Sequence, residues 1–219
     1  MASKNQYKPY IKEFNFKEES CQRTSDLTDY IYKNCDSNVN SSGVSHFIPK
    51  FKERKIFDIN DIKNFNLKIT NPIEQSYDTI QEGVYNSEYY FLEKTFTVSQ
   101  FIDICSEIDR QPPKNKSVKQ LERIYWHEKS PIKPIYGSDQ NVTEVDLGEF
   151  DLNKVKSILS DTIIEQYEGI VSAYLYFGTW RSTSPWHTED MDLSAANLLL
   201  YGQPKLWYCI PPDFGNQFE

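Results

Sequence analysis

His187 and Glu189 stand two residues apart, in the run Trp186-His187-Thr188-Glu189. In an extended chain, residues i and i+2 project to the same face, so the imidazole and the carboxylate are presented side by side. Such a pair supplies two donors of a 2-His-1-carboxylate triad, the set that leaves positions open on Fe(II) for other ligands. The ordinary alternative is a half-buried strand histidine beside an exposed glutamate. Three other residues bear on the choice. Lys205 precedes the apolar run 206–210 (LWYCI), where an ammonium group needs an anionic partner; a dicarboxylate co-substrate would be one. Asn197 opens the preceding strand-like run and can hydrogen-bond the same anion. Tyr136, within 134–137 (PIYG), adds a phenolic donor. Each has a plainer role open to it: Lys205 reaching to solvent, Asn197 in a turn, Tyr136 in a core.

The elements that must hold these groups are legible in part. Residues 172–180 (SAYLYFGTW) are aromatic and β-branched, which predicts a strand. Two further strands are predicted at Asn197–Tyr201 and Leu206–Ile210, with a turn at Gly202-Gln203-Pro204 between them. Two helices are marked by capping boxes, at Thr97–Gln100 and Ser117–Gln120. A third is predicted from Leu152 to Tyr167, where Leu152, Val155, Ile158, Leu159 and Ile163 share a face and Gly169 follows as a stop. Nearer the N-terminus a strand is expected around Phe14–Phe16 and a helix around Leu27–Asn34, followed by a polar loop at 34–43. Residues 56–90 read as irregular apart from the apolar stretch Phe65–Ile69. Residues 1–10 read as a polar tail.

A chain of 219 residues with 15 Tyr and 13 Phe has the rings for a packed core. Its net charge of −8 does not suit direct binding to DNA or to an anionic membrane, and is compatible with a basic partner. No run of about 18 apolar residues offers a membrane span, and the first residues lack the apolar centre of a signal peptide. The four cysteines, Cys21, Cys35, Cys105 and Cys209, form no CxxC pair and read as reduced thiols. Lys50, Lys52, Arg54 and Lys55 make a basic cluster that reads as a solvated loop more readily than as an import signal.

Four runs together give a more specific reading: 174–180 (YLYFGTW), 186–193 (WHTEDMDL), 201–208 (YGQPKLWY) and 210–212 (IPP). They resemble the JmjC domain, and within it the branch that demethylates trimethyl-lysine on histone H3. Residues 121–126 (LERIYW) and 134–137 (PIYG) resemble the linker of that branch. Phe14–Phe16 and Gly43–Pro49 resemble its JmjN segment. The resemblance is specific over 121–137 and 167–213 and loose over 53–95.

The resemblance implies an α+β fold in which JmjN (11–53) and a mixed linker (54–142) wrap a partial JmjC (143–219) double-stranded β-helix, the jelly-roll or cupin-like barrel. It implies a nuclear Fe(II)- and 2-oxoglutarate-dependent oxygenase acting on methylated lysine of histone H3, at residue nine or thirty-six type marks. By position, His187 and Glu189 become iron ligands. Lys205 and Tyr136 hold the distal carboxylate of 2-oxoglutarate, and Asn197 supports its metal-binding end. Gly169, Tyr176 and Glu189 line a methylammonium pocket that Tyr174 flanks, and Asp139 touches the histone peptide. Three departures stand out. Ser184 replaces an aromatic that packs on the co-substrate, and Ala195 a small hydroxyl residue. Glu219 comes before the family's second metal-binding histidine, its closing strands and its zinc site, so an incomplete chain, inactive alone, is expected. His46 and His127 match no ligand position. Two other functions stay open: a non-catalytic chromatin-binding scaffold and a hydroxylase acting on another protein.

Overall fold

The computed structural model describes residues 12–15, 28–29, 43–48, 57–81, 84–127, 132–142, 145–163, 165 and 167–218. The chain divides into two compact units, one of Met1–Ile56, Leu147–Ile164 and Leu199–Glu219, the other of Phe57–Asp146 and Glu165–Leu198. Helices and largely antiparallel sheets together make it α+β.

The first unit contains a short parallel pair, β1 (Lys12–Asn15) and β2 (Ser45–Ile48), with Phe14 opposite Phe47. This accords with the strand expected near Phe14. Thr28 and Asp29 are helical, and the Thr28 hydroxyl donates to the Lys156 carbonyl at 2.7 Å. The rest of the 27–34 helix, the 34–43 loop before Gly43 and the basic cluster lie outside the described residues.

The second unit is built on a four-stranded antiparallel sheet. In chain order come α1 (Ile59–Lys63), β3 (Lys68–Ile69), β4 (Ile73–Gln81), β5 (Val84–Phe91), β6 (Phe96–Thr97), α2 (Val98–Ser106), α3 (Val118–His127), β7 (Ile135–Asn141) and β8 (Tyr174–Gly178). The sheet order is β5-β4-β7-β8, and β3 pairs separately with β6. Both capping boxes form as the sequence predicts. The Gln100 amide donates to the Thr97 hydroxyl and the Thr97 amide to the Gln100 side chain. Ser117 and Gln120 repeat the exchange. The core is Ile62, Ile69, Phe96, Val98, Phe101 and Ile135, with Phe177 of β8 packed against it. Burial of this kind stabilises by about 1.5–3 kcal/mol per large apolar side chain. The core therefore ties the sheet to α1 and α2 and makes a firm base for β7 and β8.

Three sequence expectations fail, each for a physical reason. Residues 56–90 are not irregular: β4 and β5 form a long hairpin from Ile73 paired with Phe91 to Gln81 paired with Val84. Every residue of β5 is exposed, so no alternation of apolar and polar residues marks it. The 152–167 helix is broken into a 3-10 turn at Leu152–Lys154 and a one-turn helix, α4 (Ile158–Thr162). Ser157 stands between them in extended geometry and caps α4, which breaks the helical register, so Ile158 is 82% exposed while Leu152, Val155, Leu159 and Ile163 are half-buried. Asn197–Tyr201 and Leu206–Ile210 lie in no strand, with Leu199 and Leu206 exposed. A strand exists only through a neighbour's ladder of hydrogen bonds, which composition alone does not supply.

Tyr77 on β4 carries a testable flaw. Its hydroxyl is buried without a hydrogen-bond partner, and burial pushes its pKa up to about 12. The Thr183 hydroxyl lies near enough to offset part of that rise, but it bonds to Tyr125 and to the Arg181 carbonyl and makes no well-formed hydrogen bond with Tyr77. A folded-state pKa above the ordinary value means that stability is fully present below the unfolded pKa of about 10. It is lost as pH rises towards 12. Tyr77→Phe is expected to raise stability by about 1 kcal/mol at neutral pH and to weaken the alkaline loss. Urea unfolding at neutral and alkaline pH checks both.

Candidate active site

β7 and β8 run antiparallel, with Tyr136 opposite Gly178 and Asn141 opposite Tyr174. Between these pairs the register slips, so Ser138 and Asp139 together face Tyr176 across a β-bulge. Asp139 takes a left-handed conformation, φ 56°, which few non-glycine residues adopt. Bulges re-aim side chains, and this one sends the Asp139 carboxylate towards the Tyr176 hydroxyl. The Tyr176 ring stacks on Tyr136, centroids 6.1 Å apart at 25°.

The tyrosines here are held as phenols. Tyr176 is shifted far upward, first by burial, then by the Asp139 carboxylate as charge and hydrogen-bond partner, with smaller contributions from Tyr136 and Glu189. Burial also raises Tyr136, whose hydroxyl lies 3.4 Å from the Ser184 hydroxyl. Tyr174 is raised by desolvation and then by Glu168. All three therefore remain O–H donors at any physiological pH.

Gly169 sits under Tyr174. Its φ is +81°, and a Cβ there would stand 2.6 Å from Cε2 of the Tyr174 ring. Only glycine meets both demands. The Gly169 amide donates to the Ser172 carbonyl at 3.0 Å, closing the turn that leads into β8. Glu168 beside it accepts from the Asn141 side chain at 3.1 Å and approaches Tyr174. Sequence reasoning missed Glu168. Its position next to a turn glycine was the available signal.

His187 and Glu189 follow β8 in extended but unpaired chain, not in a strand. The i, i+2 relation still holds them on one side: His187 Nε2 lies 3.9 Å from Glu189 Oε1. His187 Nδ1 is 2.8 Å from the Pro185 carbonyl. That carbonyl can only accept, so Nδ1 carries the proton and Nε2 presents its lone pair on the Glu189 side. A histidine fixed through one nitrogen by a carbonyl is the arrangement in which the other binds a metal. The gap exceeds the roughly 3 Å expected between two donors about 2.1 Å from one ion at right angles. Both side chains are half exposed, so a rotation closes it. As donors they fit two positions of an Fe(II) site. Among the described residues, no group of three His, Cys, Asp or Glu side chains is placed to hold a metal ion.

Of the remaining residues, Asn197 is exposed in an irregular run of the same unit. Lys205 belongs to the other unit; it is exposed overall, yet shielding from water lowers its ammonium below the usual lysine range. The structure thus brings together His187 with Glu189, Tyr136 with Tyr176 and Ser184, Asp139 with Tyr176, and Gly169 with Tyr174. Among the described residues no helix is long and apolar enough to cross a membrane.

Comparison with known proteins bears on the same residues. Residues 174–219 match the family model described as "JmjC domain, hydroxylase". The chain is 32% identical to lysine-specific demethylase 4B of Mus musculus over 89% of its own length and 18% of that protein's. It is 31% identical to lysine-specific demethylase 4D of Rattus norvegicus, over 97% of its length and 40% of the relative's. With probable lysine-specific demethylase 4F of Homo sapiens the identity is 32%, covering 89% of this chain and 31% of the other. The chain spans less than half the length of each of these relatives. With the bulged β7–β8 corner and the pair beyond it in view, residues 174–219 are similar to the JmjC domain, and most of the chain is similar to lysine-specific demethylases of type four.

Proposed function

We propose that this chain contributes to an Fe(II)- and 2-oxoglutarate-dependent oxygenase that removes methyl groups from lysine of histone H3, at marks of the residue nine or thirty-six type. The observation that carries this reading is the His187–Glu189 pair, its imidazole nitrogen and carboxylate oxygen 3.9 Å apart, within the segment similar to the JmjC domain. Family resemblance supports a JmjN segment at 11–53, a linker at 54–142 and a JmjC barrel beginning at 143.

His187 and Glu189 would hold the iron. When bound, iron and 2-oxoglutarate supply, with O₂, the oxidising power to hydroxylate an N-methyl carbon. By the family resemblance, Lys205 and Tyr136 would each bind the distal carboxylate of 2-oxoglutarate, and Asn197 would support its other end. Tyr136 serves as a hydrogen-bond donor because its phenol stays protonated. Tyr176, the Gly169 backbone and Glu189 surround the methylammonium group with oxygen atoms, which attract its polarised C–H groups and its charge. Tyr174 forms one wall, and Asp139 meets the peptide. The hydroxymethyl product breaks down to formaldehyde. Because oxidation occurs at carbon, no nitrogen lone pair is needed and trimethyl-lysine is a competent substrate.

The net charge of −8 favours a basic histone tail over DNA as partner, and a histone substrate places the protein in the nucleus. A non-catalytic chromatin-binding role is the second reading. It is motivated by Ser184 in place of the family's aromatic, and tight binding of Fe(II) and 2-oxoglutarate would count against it. Tyr176→Phe removes one pocket oxygen and leaves both metal donors in place. The expected result is an altered preference among mono-, di- and trimethyl-lysine peptides, by roughly 3- to 30-fold in kcat/KM, with iron affinity unchanged. An unchanged preference would remove Tyr176 from the pocket.

A further inference from the structure

We propose that Gln75 is a positioning residue for the His187–Glu189 pair, its carboxamide serving as a one-residue strand that anchors the chain just before them. The inference rests on the reading of that pair as the metal-binding site and names what holds it in place.

Gln75 lies on β4 and is only 3% exposed. Its own amide is occupied, donating to the Pro134 carbonyl at 2.9 Å. Its side chain reaches Thr183 instead. Nε2 donates to the Thr183 carbonyl at 2.7 Å, and Oε1 accepts from the Thr183 amide at 3.0 Å. A peptide group on a neighbouring strand would make the same two bonds. Thr179 still bonds to Ile135 of β7, whereas Thr183 lies beyond β8 and in no strand, so the carboxamide supplies ladder-like bonds where the sheet stops.

Thr183 is tied from other directions too. Tyr125 donates its hydroxyl to Thr183 Oγ1 at 2.8 Å, and Arg181, at φ 71°, donates through Nη2 to the Tyr125 carbonyl at 2.8 Å. Upstream, the Thr179 amide and the Ser182 hydroxyl both donate to the Ile135 carbonyl, at 3.1 and 2.9 Å. The chain is therefore fixed up to Thr183 and irregular beyond it. The next two residues are Ser184 and Pro185. The proline ring fixes its own φ and restricts the residue before it, so the orientation set at Thr183 passes stiffly to Pro185. The Pro185 carbonyl then orients His187 through Nδ1. The sequence Gln75, Thr183, Pro185, His187 is a continuous mechanical path from the sheet to the imidazole. A role in packing alone would not require two hydrogen bonds to the backbone of one distant residue.

The test uses the full 219-residue chain, isotope-labelled, with Gln75→Met as an apolar replacement of similar volume. Three readouts apply: amide hydrogen exchange, the ¹⁵N shifts of the His187 ring, and line broadening of that ring by Mn(II). Gln75→Met leaves both Thr183 backbone groups unpaired. The expected result is exchange about 10- to 100-fold faster at the Thr183 amide, loss of the single-tautomer signature of His187, and Mn(II) affinity lower by about tenfold. Amides of β4 and β7 keep their protection. Unchanged Thr183 exchange and an unchanged His187 tautomer would overturn the proposal, and so would loosening spread equally over the whole sheet. Should Gln75→Met fail to fold, Tyr125→Phe removes one hydroxyl from the same anchor and must speed Thr183 exchange by about 3- to 10-fold; no change there is equally fatal. The first two readouts are metal-free. If the unaltered chain does not bind Mn(II) at His187, the metal-site reading fails while the exchange data still decide the anchor.

Discussion

Replacing Glu189 by alanine should reduce N-demethylation by the natural protein to background, a loss on the order of a thousandfold or more. On the proposed reading Glu189, 3.9 Å from His187 Nε2, would donate one oxygen to the metal and another would face the methylammonium group. Loss of a metal donor leaves iron weakly held at undefined geometry, and no neighbouring carboxylate is arranged to complete a cluster among the described residues. His187→Ala should be as damaging. Glu189→Asp, which keeps a carboxylate at shorter reach, should retain measurable metal affinity. The measurement is succinate and formaldehyde release with a trimethyl-lysine H3 peptide, alongside metal content. Substantial turnover in Glu189→Ala would remove it from the metal site.

Gly137→Ala should have the largest effect on stability. Gly137 is buried in β7 opposite Phe177, and a Cβ there would lie 2.5 Å from Cγ2 of Ile69. Ile69 is fully buried in the core between α1, α2 and β6, so it has nowhere to move. Overpacking against a fixed core side chain costs about 3 kcal/mol and should lower Tm by roughly 6–12 °C. Gly215→Ala, where no atom lies within 4 Å of the new Cβ, is the control and should be neutral or slightly stabilising. Thermal unfolding followed by circular dichroism separates the two. If Gly137→Ala is neutral, the contact between β7 and Ile69 is looser than described.

The sequence was most informative where function crowds residues together. The His187 and Glu189 spacing correctly implied adjacent side chains even though the segment is not a strand, because any extended chain alternates its faces. Capping boxes at Thr97 and Ser117 were equally legible, since they satisfy backbone donors within four residues of chain. The failures have a common cause: they depend on what lies opposite. β5 is exposed on both faces and shows no period, so its pairing with β4 could not be read. Ile158 repeats at helical spacing with its neighbours, but Ser157 before it is extended and caps a new start, and the helix stops after a turn. Leu206–Ile210 has strand composition and stands in no strand among the described residues. Gln75 was invisible for the same reason: a glutamine in a strand carries no mark of the residue its amide will hold. The Asp139 bulge likewise comes from a register slip between two strands, which neither strand records alone.

The most direct test of the central claim is to incubate the natural protein, purified from its own cells, with Fe(II), 2-oxoglutarate, O₂ and an H3 peptide bearing trimethyl-lysine. The peptide mass and the formaldehyde and succinate released are then measured together. The expected result is stepwise loss of single methyl groups from the peptide, with formaldehyde and succinate formed in equal amounts and both abolished by Glu189→Ala. A peptide that gains one oxygen and keeps its methyl groups would make the protein a hydroxylase. A peptide that is bound but unchanged, with no succinate formed, would contradict the catalytic reading and leave a chromatin-binding protein.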